Sequence, residues 1–234
     1  MYYRIIIIIL TVIISIPLNS IAQDKKLNDR VERSAKVFED IIDIAEKGIP
    51  PAMMKKAGGV VIIPDMVKAG FIIGGRRGKG VALVQNDDGT WSNPVFVTLS
   101  GGSFGLQIGV QKIELALIFR DSEPLMDIGK ADFTLGGDIS VAAGPVGRQS
   151  SAATNFTFDA AVYSYSKTKG IFAGVSLDGT LMEVDSKANS EFYGAEYIEA
   201  DEIFRMSGIR NELVNRLHQA LNESKKDIEN AEAG

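Results

Sequence analysis

The sequence has no cysteine and a single histidine, His218. The first absence excludes disulfides, thiolate nucleophiles, cysteine-held metals and the lipidated N-terminal cysteine of a bacterial lipoprotein. Together with the second it removes Cys-His pairs and cysteine- or multi-histidine zinc arrangements, and a Ser-His-Asp site would have to use His218, which reads as a surface or packing residue. Positive charge is also short: 25 Lys and Arg stand against 30 Asp and Glu, a formal charge of −5. Such a chain lacks the cationic surplus with which proteins neutralise nucleic-acid phosphates, so any anionic partner must be met by a local basic patch. Aspartates are frequent, yet none has the Asp-x-Asp-x-Asp-Gly spacing of a calcium loop. The residue types therefore point to no catalytic residue, no metal site and no cofactor; a two-carboxylate hydrolase is the one catalytic arrangement that spacing alone leaves open.

A long apolar run is missing as well. Ile5 to Ile16, behind the basic start Met1-Tyr2-Tyr3-Arg4, falls short of the roughly 20 residues of a membrane span. Ser20-x-Ala22 then supplies the small residues of a cleavage site. Residues 1–22 read as a signal peptide cut after Ala22, leaving Gln23 first and sending the mature chain to the periplasm or envelope; a retained anchor is the alternative.

What is present is a helix, many strand-like segments, and a helix again. Leu27, Val31, Ala35, Phe38, Ile42 and Ala45 recur at spacings of three and four, and Gly48 with Pro50-Pro51 ends the pattern. The polar face mixes Lys25, Lys26, Arg30, Arg33 and Lys36 with acids, which suits a helix packed on a sheet; a helix lying in a lipid interface is the sharper reading. Strand signals follow at Gly58 to Ile63, at Ala69 to Gly74 and Gly80 to Gln85 joined by a turn Gly75-Arg76-Arg77-Gly78-Lys79, at Val95 to Ser100, and at Ile113 to Phe119. Further strands are expected at 132–135, 138–143, 152–158, 161–166, 170–177 and 180–184. From Ala195 the period returns to helical through Ile198, Phe204, Ile209, Leu213, Leu217 and Leu221, with His218 beside Leu217 as a surface or packing residue. The expected fold class is α+β: an antiparallel, barrel-like or curved β-core of many short strands with N- and C-terminal amphipathic helices packed on it.

The centre of that β-core is the stretch Trp91 to Gly109, where Val95, Val97 and Leu99 alternate with Phe96, Thr98 and Ser100 before four glycines intervene. Strand glycines mark bends, bulges or close approach of another backbone. Trp91-Ser92-x-Pro94, Gly101-Gly102-Ser103-x-Gly105-x-Gln107-x-Gly109, Gly144-Pro145-x-Gly147-Arg148, Tyr163-Ser164-Tyr165-Ser166 and Lys169-Gly170-x-Phe172-x-Gly174-x-Ser176 together resemble the SYLF domain family, in order from about Arg33 to Gly194. The resemblance implies lipid-headgroup binding, actin binding in some eukaryotic members such as a yeast actin-patch protein, and no established catalysis. It makes residues 23–194 a SYLF-like domain, with 195–234 a helical extension packed on it.

The residues themselves offer two cationic groups for a headgroup. Arg76, Arg77 and Lys79 sit among four glycines, where a phosphate-binding loop and a plain solvated hairpin turn are both consistent with the pattern; the Walker spacing is absent. Arg148, Lys167 and Lys169 would form a second anion site if their turns meet. Tyr163 and Tyr165 share a strand face, as core or as an amphipathic rim. The functional expectation is an exported, non-catalytic protein binding anionic phospholipid or another amphiphile at an envelope membrane surface. The alternative is an envelope interaction module without lipid. Nucleic acid is not an expected partner, and export argues against actin.

Overall fold

The computed structural model describes residues 18–42, 48–145, 159–169, 171–172, 177–209 and 211–225. Its elements, in chain order, are α1 (Leu18–Ile42), α2 (Pro51–Lys55), β1 (Gly59–Val84), β2 (Val95–Phe119), α3 (Glu123–Met126), β3 (Phe133–Leu135), β4 (Val141–Ala143), β5 (Val162–Thr168), β6 (Ile171–Phe172), β7 (Thr180–Val184), α4 (Ser186–Tyr193), α5 (Ala200–Arg205) and α6 (Glu212–Glu223). The class is α+β, a curved and mostly antiparallel sheet with helices packed on it, as the alternation of periods predicts. Described strands run in the order β3-β7-β2-β5-β4, with β1 also on β2 and β6 on β5; only β4 with β5 is parallel. The stretch from Trp91 is central, since β2 pairs with β1, β5 and β7.

Strand length differs from expectation. β1 has 26 residues and β2 has 25, paired from Gly59 opposite Phe119 to Ala82 opposite Val95. The expected turn at Gly75 to Lys79 is therefore corrected: these residues are strand, opposite Gly102 to Thr98. The bend lies earlier, at the register shift between Gly70 and Ile72, where β2 skips from Gly109 to Gly105. Beyond it β1 returns against its own first half. Gln85 N donates to Gly58 O at 2.9 Å, and a Cβ on Gly80 would stand 1.9 Å from Ile62 O. Glycine is needed there for close backbone approach, which from sequence alone looks the same as a turn.

Both sheet faces are covered. Along β2, Phe96, Ala116 and Ile118 face one apolar cluster, while Val95, Val97, Leu99, Leu115, Leu117 and Phe119 face the other. The first lies under α1, α2, α4 and α6; Val31, Ala35, Phe38 and Ile41 of α1 are fully buried in it, so the lipid-interface reading of this helix gives way to packing in this state. Tyr163 and Tyr165 join the same cluster, settling them as core. The second cluster lies under α3 and α5. Among the described residues the C-terminal helical region begins at Ser186 rather than Ala195 and holds three helices: Gly194 ends α4 in a left-handed conformation, and Asn211 caps α6 by accepting from Leu213 N at 2.9 Å. The expected strand at 152–158 and most of 170–177 lie outside the described residues.

Candidate functional site

A cleft of about 490 Å³ opens between α1 and β1. Lys26, Asp29, Arg30 and Arg33 line it from the helix, and Pro64, Asp65, Val67, Arg77, Gly78 and Lys79 from the strand. Helical spacing explains the first wall, because positions i, i+3, i+4 and i+7 share one stripe. Strand alternation explains the second. Arg76, Gly78 and Gly80 point into the molecule and are buried, whereas Arg77 and Lys79 point outward beneath the helix and are exposed. A Cβ on Gly78 would meet Ile63 Cγ2 at 2.5 Å, so the two halves of β1 are tightly apposed behind the cleft floor.

Five cations thus face two carboxylates in the cleft wall. Arg33 pairs with Asp65. Arg30 and Lys79 both reach Asp185 Oδ2, at 3.1 and 2.8 Å, from opposite walls. Burial works to raise the Asp185 pKa, but donation from Lys79 and Arg30 outweighs it and holds the carboxyl below its usual range. Lys26 and Arg77 form no ion pair among the described residues. The arrangement can accept an anion: two free cations are exposed, and three more are held in place by carboxylates.

The predicted cations are separated by the fold. Arg77 and Lys79 line the cleft. Arg76 is only 8% exposed; its guanidinium donates to Asp178 O, so it anchors the turn at Asp178 and Gly179 that leads into β7, and burial lowers its pKa against the pull of Asp178. Lys167 is 15% exposed and lies between Asp40 at 3.6 Å and Glu114 at 3.7 Å, away from the cleft. Lys169 is exposed in a left-handed turn with φ 49°. Arg148 lies outside the described residues, as does its meeting with Lys167 and Lys169. Sequence reasoning missed Lys26, Arg30 and Arg33 as site residues although their i, i+4, i+7 stripe was readable; nothing local marked Asp65 or Asp185. His218 is packed: its Nε2 is 2.9 Å from Ser92 O. Among the described residues no group of three or more His, Asp or Glu is placed to hold a metal, and no helix is long and apolar enough to cross a membrane.

Comparison with known proteins adds the following. A family profile described as "Ysc84: Las17-binding protein actin regulator" matches residues 100–224, more than half of the chain. Protein YSC84 of Saccharomyces cerevisiae is 36% identical over 178 residues, 73% of this chain and 38% of that protein. LAS seventeen-binding protein 3 of the same species is 35% identical over 178 residues, 73% of this chain and 39% of that protein. The SH3 domain-containing YSC84-like protein 1 of Xenopus laevis is 33% identical over 183 residues, 76% of this chain and 54% of that protein. The chain therefore spans between about two fifths and about half of the length of these relatives.

Proposed function

This chain belongs to the Ysc84 family of SYLF domains, and on that premise we propose that it is a non-catalytic lipid-binding protein whose α1–β1 cleft receives anionic phospholipid headgroups. Lys26 and Arg77 make the first contacts, and Arg30, Arg33 and Lys79 stand behind them. The observation that carries this reading is the convergence of five cations on one cleft of a net acidic chain. Pro64 and Val67 give the same cleft an apolar wall for the glycerol and upper acyl region. The protein acts outside the cytoplasm, at an envelope membrane surface, once residues 1–22 are removed.

Co-sedimentation with neutral and phosphatidylglycerol-containing vesicles tests it. Binding confined to the anionic vesicles and weakened by salt is expected. Equal recovery with both vesicle types, or none at low salt, refutes it. N-terminal sequencing of the mature protein checks for Gln23.

The second reading is a protein-interaction module. Its support is the name of one yeast relative, which records binding to LAS seventeen, and a family description that includes actin regulation. Export of the chain speaks against an actin partner, and that description speaks for one. A protein partner held by the unmutated chain, which itself ignores both vesicle types at low salt, favours this reading.

A further inference from the structure

Val110 and Ile171 are the most exposed large hydrophobic side chains among the described residues, at 74% and 71%. Single exposed apolar residues are ordinary. These two, however, sit at one end of the sheet. Val110 is opposite Ala69, one step from the bend of the β1–β2 ribbon, and Ile171 is opposite Thr168 just past the Lys169 turn. Because β5 runs antiparallel to β2 with Lys167 opposite Glu114, Thr168 and Ile171 lie toward the Val110 end of β2. The bend itself is built from Phe71-Ile72-Ile73 and Phe104 to Gly109, without one charged residue.

Lysines surround this end. Lys68 is opposite Gln111, Lys112 is opposite Val67, and Lys169 makes the adjoining turn. None of the three forms an ion pair among the described residues, and Glu114, the carboxylate at their level, is held by Lys167 at 3.7 Å. Val67 also lines the α1–β1 cleft, so the lysine-flanked end and the cleft are continuous along β1.

We propose that the bent end of the β1–β2 ribbon is a membrane-penetrating tip: Val110 and Ile171 enter the headgroup–acyl boundary of an anionic bilayer while Lys68, Lys112 and Lys169 stay at the level of the phosphates. This inference rests on the lipid reading of the cleft and adds a second, apolar contact that fixes how the molecule stands on the surface. Apolar side chains dipped into the interface beneath a ring of lysines is the composition by which proteins bind anionic membranes peripherally.

The absence of cysteine makes the test direct, because one introduced thiol labels one site. Val110→Cys and Ile171→Cys each carry an environment-sensitive nitrobenzoxadiazole dye, and Tyr197→Cys, 67% exposed ahead of α5, is the control. On phosphatidylglycerol-containing vesicles the dyes at 110 and 171 shift to the blue and are quenched by acyl-brominated lipid, while the dye at 197 does neither. Co-sedimentation with unshifted dyes at 110 and 171 overturns the tip and leaves the cleft standing. No co-sedimentation of the unlabelled protein overturns both. In the unlabelled chain, Val110→Asp with Ile171→Asp weakens vesicle affinity by about tenfold; unchanged affinity overturns the tip.

Discussion

Arg30 on the first helix and Asp185 at the end of β7, 155 positions apart, are joined at 3.1 Å, and the same carboxylate oxygen takes Lys79 at 2.8 Å. One acid thus ties both walls of the cleft together, and it masks two of the charges that would attract a headgroup.

Asp185→Asn is expected to act in opposite directions on stability and binding. The folded carboxyl titrates below its usual value, so its stabilisation is present above the unfolded pKa near 4 and is lost as pH falls through the lower folded one. The variant loses about 1 kcal/mol in urea melts at pH 7, a figure kept small because Lys79 is 46% exposed. The difference from wild type narrows below about pH 4. Freed of Asp185, Arg30 and Lys79 strengthen binding to anionic vesicles. A variant that is both less stable and a weaker binder contradicts the assignment.

Lys26→Glu with Arg77→Glu removes the two unpaired cations of the cleft. Melts of this variant stay within about 0.5 kcal/mol of wild type, since both side chains are exposed and unpaired among the described residues. Recovery on anionic vesicles falls sharply at low salt, and the binding that remains falls less steeply as salt is added. Unchanged recovery moves the headgroup elsewhere on the surface.

Gly80→Ala tests the folding back of β1. Its Cβ would meet Ile62 O at 1.9 Å, a backbone atom that cannot move aside, so a loss of about 3 kcal/mol or a failure to fold is expected. Gly102→Ala, with nothing within 4 Å, is the control; it leaves stability equal or slightly higher because alanine loses less backbone entropy. Chemical denaturation of the pair measures the difference.

His218 gives the fold a pH dependence near neutrality. Burial lowers its pKa, only partly opposed by the Ser92 carbonyl, and since that oxygen can only accept, Nε2 carries the hydrogen. The unfolded chain binds the extra proton first as pH drops below about 6.5, so stability declines from there downward. His218→Gln, which keeps a donor for Ser92, flattens that decline in thermal melts between about pH 7 and pH 5. An identical slope in both proteins removes His218 as its source.

Much of the fold was legible because its signals are local. Val31, Ala35, Phe38 and Ile41 carry a helical period wherever the helix packs, and Val95 to Leu99 alternate wherever the strand lies. The bend of β1 was misread because Gly74 to Gly80 satisfies turn chemistry, and only the contact of Gly80 with Ile62 O shows that the glycines make room for backbone. The cleft was half legible. Arg77 and Lys79 were singled out, but Arg76, equal to them in sequence, turns inward by the strand period to hold Asp178 O.

By itself the sequence determined the class of the fold, its family through five ordered motifs, the missing cysteine, and the supply of cations. These are properties of residue type and short-range spacing, which hold before the chain folds. Only the tertiary structure decided which cations meet. Lys26, Arg30 and Arg33 come to face Arg77 and Lys79 because α1 must bury its apolar stripe against β1, and that packing sets its charged stripe along the outward edge of the strand.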